Sequence, residues 1–343
     1  MNELDHTGWT FPRRVLLVTV AVAVVLLLSQ LAAVVILVFA GIVVATVLRG
    51  IARQFERWLK LPPRLSVALS ALLVIGAFAA VGWVAGDALA SQFAALREQL
   101  PRAWKALTGW LDGMFLGRQL LHVVRDAWDS GFSASQLAGA AGVTLGSVGT
   151  LLLMLVLGAY LAAEPRVYVR GAVHLVPRSQ RPRFEAALNA AGDGLSRWLL
   201  GQAVSMLFLG GTTALGLALL GMPLAGVLGL ITGVFGFVPF FGAVAAGVLA
   251  VLLGFVEGPQ MALHVALLFV AIQQMEEYLL QPIVQRWAVK LPPVLGLSAT
   301  VMFGILFGPL GVMFATPLVV VVMILVQKLY VEDVLENGGS NGT

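Results

Sequence analysis

Cysteine is absent from all 343 residues. That excludes disulfides, thiolate zinc sites and cysteine nucleophiles, and it leaves the cellular compartment open. Charge is also scarce, at 11% of the chain, against roughly 25% in an ordinary soluble domain. A water-soluble globule of this length needs more polar surface than 21 basic and 17 acidic residues supply. None of Lys60, Lys105, Lys290 and Lys328 follows a glycine, so the chain has no Walker A phosphate loop and no ATP-driven pump of its own. His6, His122, His174 and His264 are isolated, with no HExxH pair for zinc. Gly194-Leu195-Ser196 resembles an intramembrane serine-protease motif only faintly, since no histidine is suitably placed. No catalytic or cofactor motif is found, and any transport by this chain must run on gradients. A net charge of +4, with basic residues scattered between apolar blocks, also argues against nucleic acid as a partner.

Apolar residues are abundant: 59% of the chain is hydrophobic and the mean hydropathy is +0.95. The sequence therefore reads as an all-α polytopic protein whose partner is the lipid bilayer. About 20 apolar residues span a bilayer. The first apolar run, Val15 to Leu48, follows Arg13 and Arg14 and is far too long for a signal-peptide core. Cutting it at Ser29-Gln30 gives a tight pair of short helices. Further spans read at Leu65–Gly86, Leu137–Ala163, Trp198–Leu220 and Met261–Leu280, for about six full spans in all. Two longer stretches, Leu224–Val256 and Val294–Gln327, are each interrupted by glycine and proline.

The basic residues set the expected orientation. Arg49, Arg53, Arg57, Lys60 and Arg64 crowd one loop, and Arg166, Arg170, Arg178, Arg181, Arg183 and Arg197 crowd another. Segment 87–138 between them is neutral, with five basic and five acidic residues. The two clusters and both termini are then expected in the cytoplasm, and 87–138 outside. If Leu224–Val256 crossed once, Arg286 and Lys290 would emerge outside; if it dips in and returns, they stay inside. The break at Gly236, Pro239 and Gly242 suits a re-entrant hairpin, though two short full spans give the same parity. Val294–Gln327 repeats the pattern at Gly308, Pro309 and Gly311.

One helix plus an outside-entering hairpin, followed by one helix plus an inside-entering hairpin, suggests an inverted repeat of the kind that frames transporter sites. The blander alternative is that glycine and proline merely kink two long helices. The organisation follows: an N-terminal helical hairpin and basic loop (1–64), two spans around an amphipathic extracytoplasmic segment (65–163, with 87–138 outside), a cytoplasmic amphipathic segment (164–197), a transport core (198–328) and a tail (329–343). Leu89, Phe93, Leu96 and Leu100 recur at helical spacing, as do Leu120, Leu121, Val124 and Trp128. Segment 87–138 is thus expected to rest on the outer face or on neighbouring subunits. Asp193 and Arg197, four apart, suit an ordinary surface pair.

Polar residues within spans are few. Gln273, Gln274, Glu276, Glu277 and Gln281 cluster at the end of one apolar helix. At 100° per residue, Gln273, Glu276, Glu277 and Gln281 share a sector of about 140°. A carboxylate at mid-bilayer costs roughly 2.5–3.5 kcal/mol on insertion scales, so such groups usually face a cavity or a partner. Glu276 lies about 24 Å along its helix, so anchoring near an interface is the competing role. On the preceding span Gln202, Ser205 and Thr212 share a face, suited to a ligand or to helix packing. Packing also accounts for Gly139, Gly142, Gly146 and Gly149, and for the GxxxG pairs Gly229/Gly233 and Gly304/Gly308.

The run from Gly229 to Gly242, containing Gly236-Phe237-Val238-Pro239, resembles a signature of the autoinducer-2 exporter family of bacterial membrane proteins. So do Gln274-Met275-Glu276-Glu277 through Gln281-Pro282, then Val289-Lys290-Leu291-Pro292-Pro293, Phe307-Gly308-Pro309-Leu310-Gly311 and Thr316-Pro317, in the family's order and spacing. Pro292-Pro293 departs from the family's frequent His-Pro. The resemblance covers nearly the whole chain and implies a homo-oligomeric transporter of the bacterial inner membrane. Its members are linked to export of a signalling furanone or to sodium–proton antiport. The mechanism expected here places the two hairpin tips around a small polar cavity, with Glu276 or Glu277 holding the coupling ion. Export of a small polar solute, exchange of sodium or lithium for protons, and a passive pore share this architecture.

Overall fold

The computed structural model describes residues 11–113, 145–239, 241–280, 282 and 292–336. Among the described residues every regular element is helical. The longest come first: α1 (Phe11–Leu59) and α2 (Pro63–Asp112), of 49 and 50 residues. They are followed by α3 (Leu145–Ala163) and α4 (Pro165–His174), then by α5 (Arg181–Leu219), 39 residues long. Two short helices come next, α6 (Ala225–Phe235) and α7 (Phe241–Glu257), of 11 and 17 residues. Last are α8 (Pro259–Met275), prolonged by a π-helical turn Glu276–Leu280, and α9 (Pro293–Val326), prolonged by Gln327–Glu336.

Two expectations give way here. The pair of short helices cut at Ser29-Gln30 is replaced by the single helix α1. Neither serine nor glutamine removes a backbone donor or forces a turn, so the i→i−4 ladder runs through them. At 1.5 Å per residue α1 is about 74 Å long, more than twice the ~30 Å of a hydrocarbon core. The chain does not fold back on itself at Ser29-Gln30. In α2 the expected span Leu65–Gly86 and the start of the amphipathic segment form one unbroken helix.

Four helices among the described residues are long and apolar enough to cross a membrane: Val34–Leu59, Arg178–Leu219, Pro259–Leu280 and Val294–Val331. The bent pair Gly149–Ala163 and Pro165–His174 makes a fifth if counted as one span. These are fewer than the six full spans expected, partly because α1 stands where two had been drawn.

Three apolar clusters hold the helices together. Phe39 and Ala40 of α1, Leu195 and Trp198 of α5, and Phe314 and Val320 of α9 centre the first. Leu217 of α5, Val227 and Leu228 of α6, Leu253 of α7 and Val265 of α8 centre the second. The third joins Leu48 and Ala52 of α1 to Val67 of α2 and Ala162 of α3. Small residues let the backbones close in: Gly210 of α5 lies against Gly229 and Gly233 of α6, where an added Cβ would come within 3.1 Å of the Gly229 carbonyl. The Gly229/Gly233 pair thus serves helix packing. Gly149 faces open space, and Gly139 and Gly142 lie outside the described residues.

The C-terminal half of α2 does not lie free. Ala103 is fully buried in the second cluster, with Leu96, Leu100 and Leu107 packed beside it. Trp110 meets Phe255 of α7 at 5.4 Å between ring centroids. The Gln92 side-chain oxygen accepts a 2.9 Å hydrogen bond from the Val227 backbone N–H, one of the first-turn donors of α6 that has no partner within its own helix. As far as it is described, the amphipathic segment braces α6 and α7. Leu120, Leu121, Val124 and Trp128 lie outside the described residues.

Candidate functional site

Both glycine–proline breaks turn the chain sharply. Between α6 and α7 the turn 236–239 is closed by hydrogen bonds from Phe237 to the Val234 carbonyl (3.1 Å) and from Val238 to the Phe235 carbonyl (2.9 Å). Gly242 is pressed against the Phe235 carbonyl, where no Cβ has room. At about 16 Å, α6 is too short to cross ~30 Å of hydrocarbon. The second break lies inside α9. Gly308 has φ 63° and ψ −148°, a conformation open to glycine and strained for side chains. Beyond it, Gly311 is pressed against the Phe303 carbonyl, and a Cβ on Gly304 would lie 2.9 Å from Val312. In a straight helix residues eight apart are separated by about 12 Å, so the chain bends hard at Gly308. Pro309 follows at the point where its missing N–H costs no helical bond.

The two breaks converge on one apolar cluster. Phe237 from the first, and Phe307 and Leu310 from the second, pack against the Phe39–Trp198–Phe314 core. Trp198 meets Phe237 edge-on at 6.0 Å, and Phe39 meets Phe314 edge-on at 6.4 Å. The surroundings of the tips are therefore apolar, with Trp198, Phe237 and Phe307 among them.

The polar groups lie next to that cluster, along α5. Gln202, half-buried, donates its side-chain amide to the carbonyl of Gly236 at the first break. One turn further, the buried Ser205 lies beside the carboxyl of Glu276. Gln273 donates to the same carboxyl at 3.2 Å. Glu276 is 9% exposed and is the only acid among the buried residues described. Apolar neighbours flank this polar stretch on α5, with Leu195, Trp198 and Leu199 on one side and Leu209 and Leu217 on the other. Arg197 is exposed, and Ser205 lies eight residues beyond it, about 12 Å along the axis.

The structure thus brings Gln202, Ser205, Gln273 and Glu276 together with Gly236. It leaves Gln274 and Glu277 exposed beside them, separating the two neighbouring carboxylates that the sequence had placed in one sector. The π-helical turn that starts at Glu276 widens the helix there, as such turns often do at functional positions. Gln281 lies outside the described residues. Thr212 donates to the Phe208 carbonyl of its own helix at 2.6 Å. Arg197 reaches the Asp193 backbone carbonyl at 3.4 Å, in place of the side-chain pair expected. The role of the Gly236 carbonyl was not readable in advance, because an acceptor on the backbone has no residue type to mark it.

With this geometry in view, the comparisons with known proteins are specific. The model of the AI-2E family transporter matches residues 15–330. The chain belongs to that family. "Putative transport protein YueF" of Bacillus subtilis is 25% identical over 281 residues, covering 77% of this chain and 76% of its own length. YrrI of the same organism, named in the same way, is 28% identical over 166 residues, 48% of this chain and 47% of its own. MT0215 of Mycobacterium tuberculosis is 35% identical over 144 residues, 42% of this chain and 39% of its own. The AI-2E family is a transporter family, and the apolar helices of this chain fit a membrane protein.

Proposed function

We propose that this AI-2E family member is a gradient-driven transporter of the bacterial inner membrane that exports a small polar solute, with Glu276 as its coupling group. The observation that carries the reading is the pair of contacts one turn apart on α5. Gln202 holds the break between α6 and α7, and Ser205 faces the carboxyl of Glu276. A carboxyl within an apolar helix is costly and is retained where it is partnered and used. Here the Gln273 amide donates to it and the Ser205 hydroxyl lies beside it, so the carboxyl is partnered and remains open to a proton or to a cation held by its own oxygens. The α6–α7 pair acts as a re-entrant hairpin whose tip moves with α5, because the same helix grips both.

Gln273, Gln274 and Glu277 face outward from a single chain. At membrane depth such groups need a cavity or a neighbouring subunit, which fits a homo-oligomer. The test is proteoliposome flux with an imposed proton or sodium gradient. Glu276→Gln should abolish gradient-driven flux while the protein still inserts; full flux by a folded variant would remove the proposed role. Exchange of sodium or lithium for protons is the second reading, favoured by the same single buried carboxyl. A trapped pH dye separates the two, since antiport must move protons when either cation is added.

A further inference from the structure

We infer that α4 is an interfacial helix whose basic stripe binds the phosphates of anionic phospholipids in the leaflet beside it. The placement comes first. A single residue, Glu164, separates α4 from α3, and the two helices meet at 83°. If α3 crosses the bilayer, a helix at 83° to it lies along the membrane surface. Glu164 pairs with Arg64 at the start of α2, so the corner is tied to two helices.

The faces of α4 then sort by chemistry. Val173 is buried toward α5. Arg166 and Arg170, four apart, form one exposed stripe. Val167 and Tyr168 stand 58% and 48% exposed on another side, and Leu175, at the end of the helix, is 88% exposed. Apolar side chains left open at a membrane surface, beside arginines, are the pattern of helices that sink one face to the level of the headgroups. The charge matches the occupant: from Pro165 to Phe184 the chain carries Arg166, Arg170, Arg178, Arg181 and Arg183 and no aspartate or glutamate. Arg181 is used internally, donating to the carbonyls of Val176 and His174. The exposed Arg166, Arg170 and Arg178 are the members of the run offered to lipid.

Because the chain has no cysteine, Leu175→Cys introduces a single thiol into these 343 residues. An environment-sensitive dye there, in proteoliposomes of phosphatidylcholine with and without phosphatidylglycerol, reads the contact. The expected result is a blue shift and protection from an aqueous quencher in the anionic vesicles. Each arginine near such a surface contributes about fivefold in partition, the equivalent of ~1 kcal/mol. Arg166→Gln, Arg170→Gln and Arg178→Gln together should cancel the difference, whereas arginine-to-lysine changes at the same positions should keep it. Equal quenching in both vesicles would overturn the inference. So would full reversal by inorganic phosphate in the buffer, which would mark a free-anion site, or protection that appears only when a soluble acidic protein is added.

Discussion

The side-chain amide of Gln202 donates to the carbonyl of Gly236, 34 residues further along the chain. It supplies a donor to a backbone group freed where α6 stops. Replacing Gln202 with alanine leaves that carbonyl without its donor. Side-chain hydrogen bonds in membrane proteins average ~0.6 kcal/mol and reach ~1.7. The thermal midpoint of Gln202→Ala in detergent should fall by a few degrees, and flux should fall further than stability does. A change in stability alone, with flux intact, would make Gln202 a packing residue.

Glu276 and Glu277 are neighbours in sequence with different surroundings. Glu276 is buried with Ser205 and Gln273 as partners, and Glu277 is exposed. Glu276→Gln should remove gradient-driven flux, while Glu277→Gln retains most of it. Ser205→Ala should weaken flux by less than Glu276→Gln, since Gln273 remains. Equal loss at both glutamates, measured in the same vesicles, would contradict the asymmetry.

Gly242 and Gly311 are each pressed against a carbonyl of the preceding arm. Backbone cannot yield as a flexible side chain does, so Gly242→Ala and Gly311→Ala should each cost about 3 kcal/mol or more. Gly50, in α1, meets nothing within 4 Å, and Gly50→Ala should be neutral or stabilising by up to about 1 kcal/mol. Thermal midpoints and the monodisperse fraction on gel filtration give the comparison.

Gln92 of α2 caps α6 from outside by accepting from the Val227 N–H. Gln92→Leu should lower stability by about 0.5–2 kcal/mol, the usual range for a lost helix cap. Gln92→Glu keeps an acceptor and adds favourable charge at a helix N-terminus, so it should restore most of the loss. Unfolding midpoints of the two variants decide this.

Much of this was legible in the sequence for a simple reason: glycine and proline mark where a helix cannot continue. The clusters at Gly236–Gly242 and Gly308–Gly311 gave both sharp turns, and the rare polar residues of the spans pointed to Gln202, Ser205 and Glu276. Hydropathy misled at Val15–Leu48, because a long apolar run has the same composition whether it is one helix or two. It was blind to the bracing by α2 for a different reason: the contacts of Gln92 and Ala103 depend on helices distant in sequence. The separation of Glu276 from Glu277 was hidden because neighbours on a helix stand about 100° apart, and a sector of about 140° does not say which of them a packed helix covers.

Three contacts fall within two turns of α5: Trp198 on Phe237, Gln202 on Gly236 and Ser205 on Glu276. A slide of α5 by one turn is about 5.4 Å, well beyond the reach of a hydrogen bond. Such a slide would release the hairpin tip and the carboxyl in the same stroke. A partial slide would forfeit bonds before new ones form. Occupancy of Glu276 and posture of the α6–α7 turn are therefore expected to change together, as a single count.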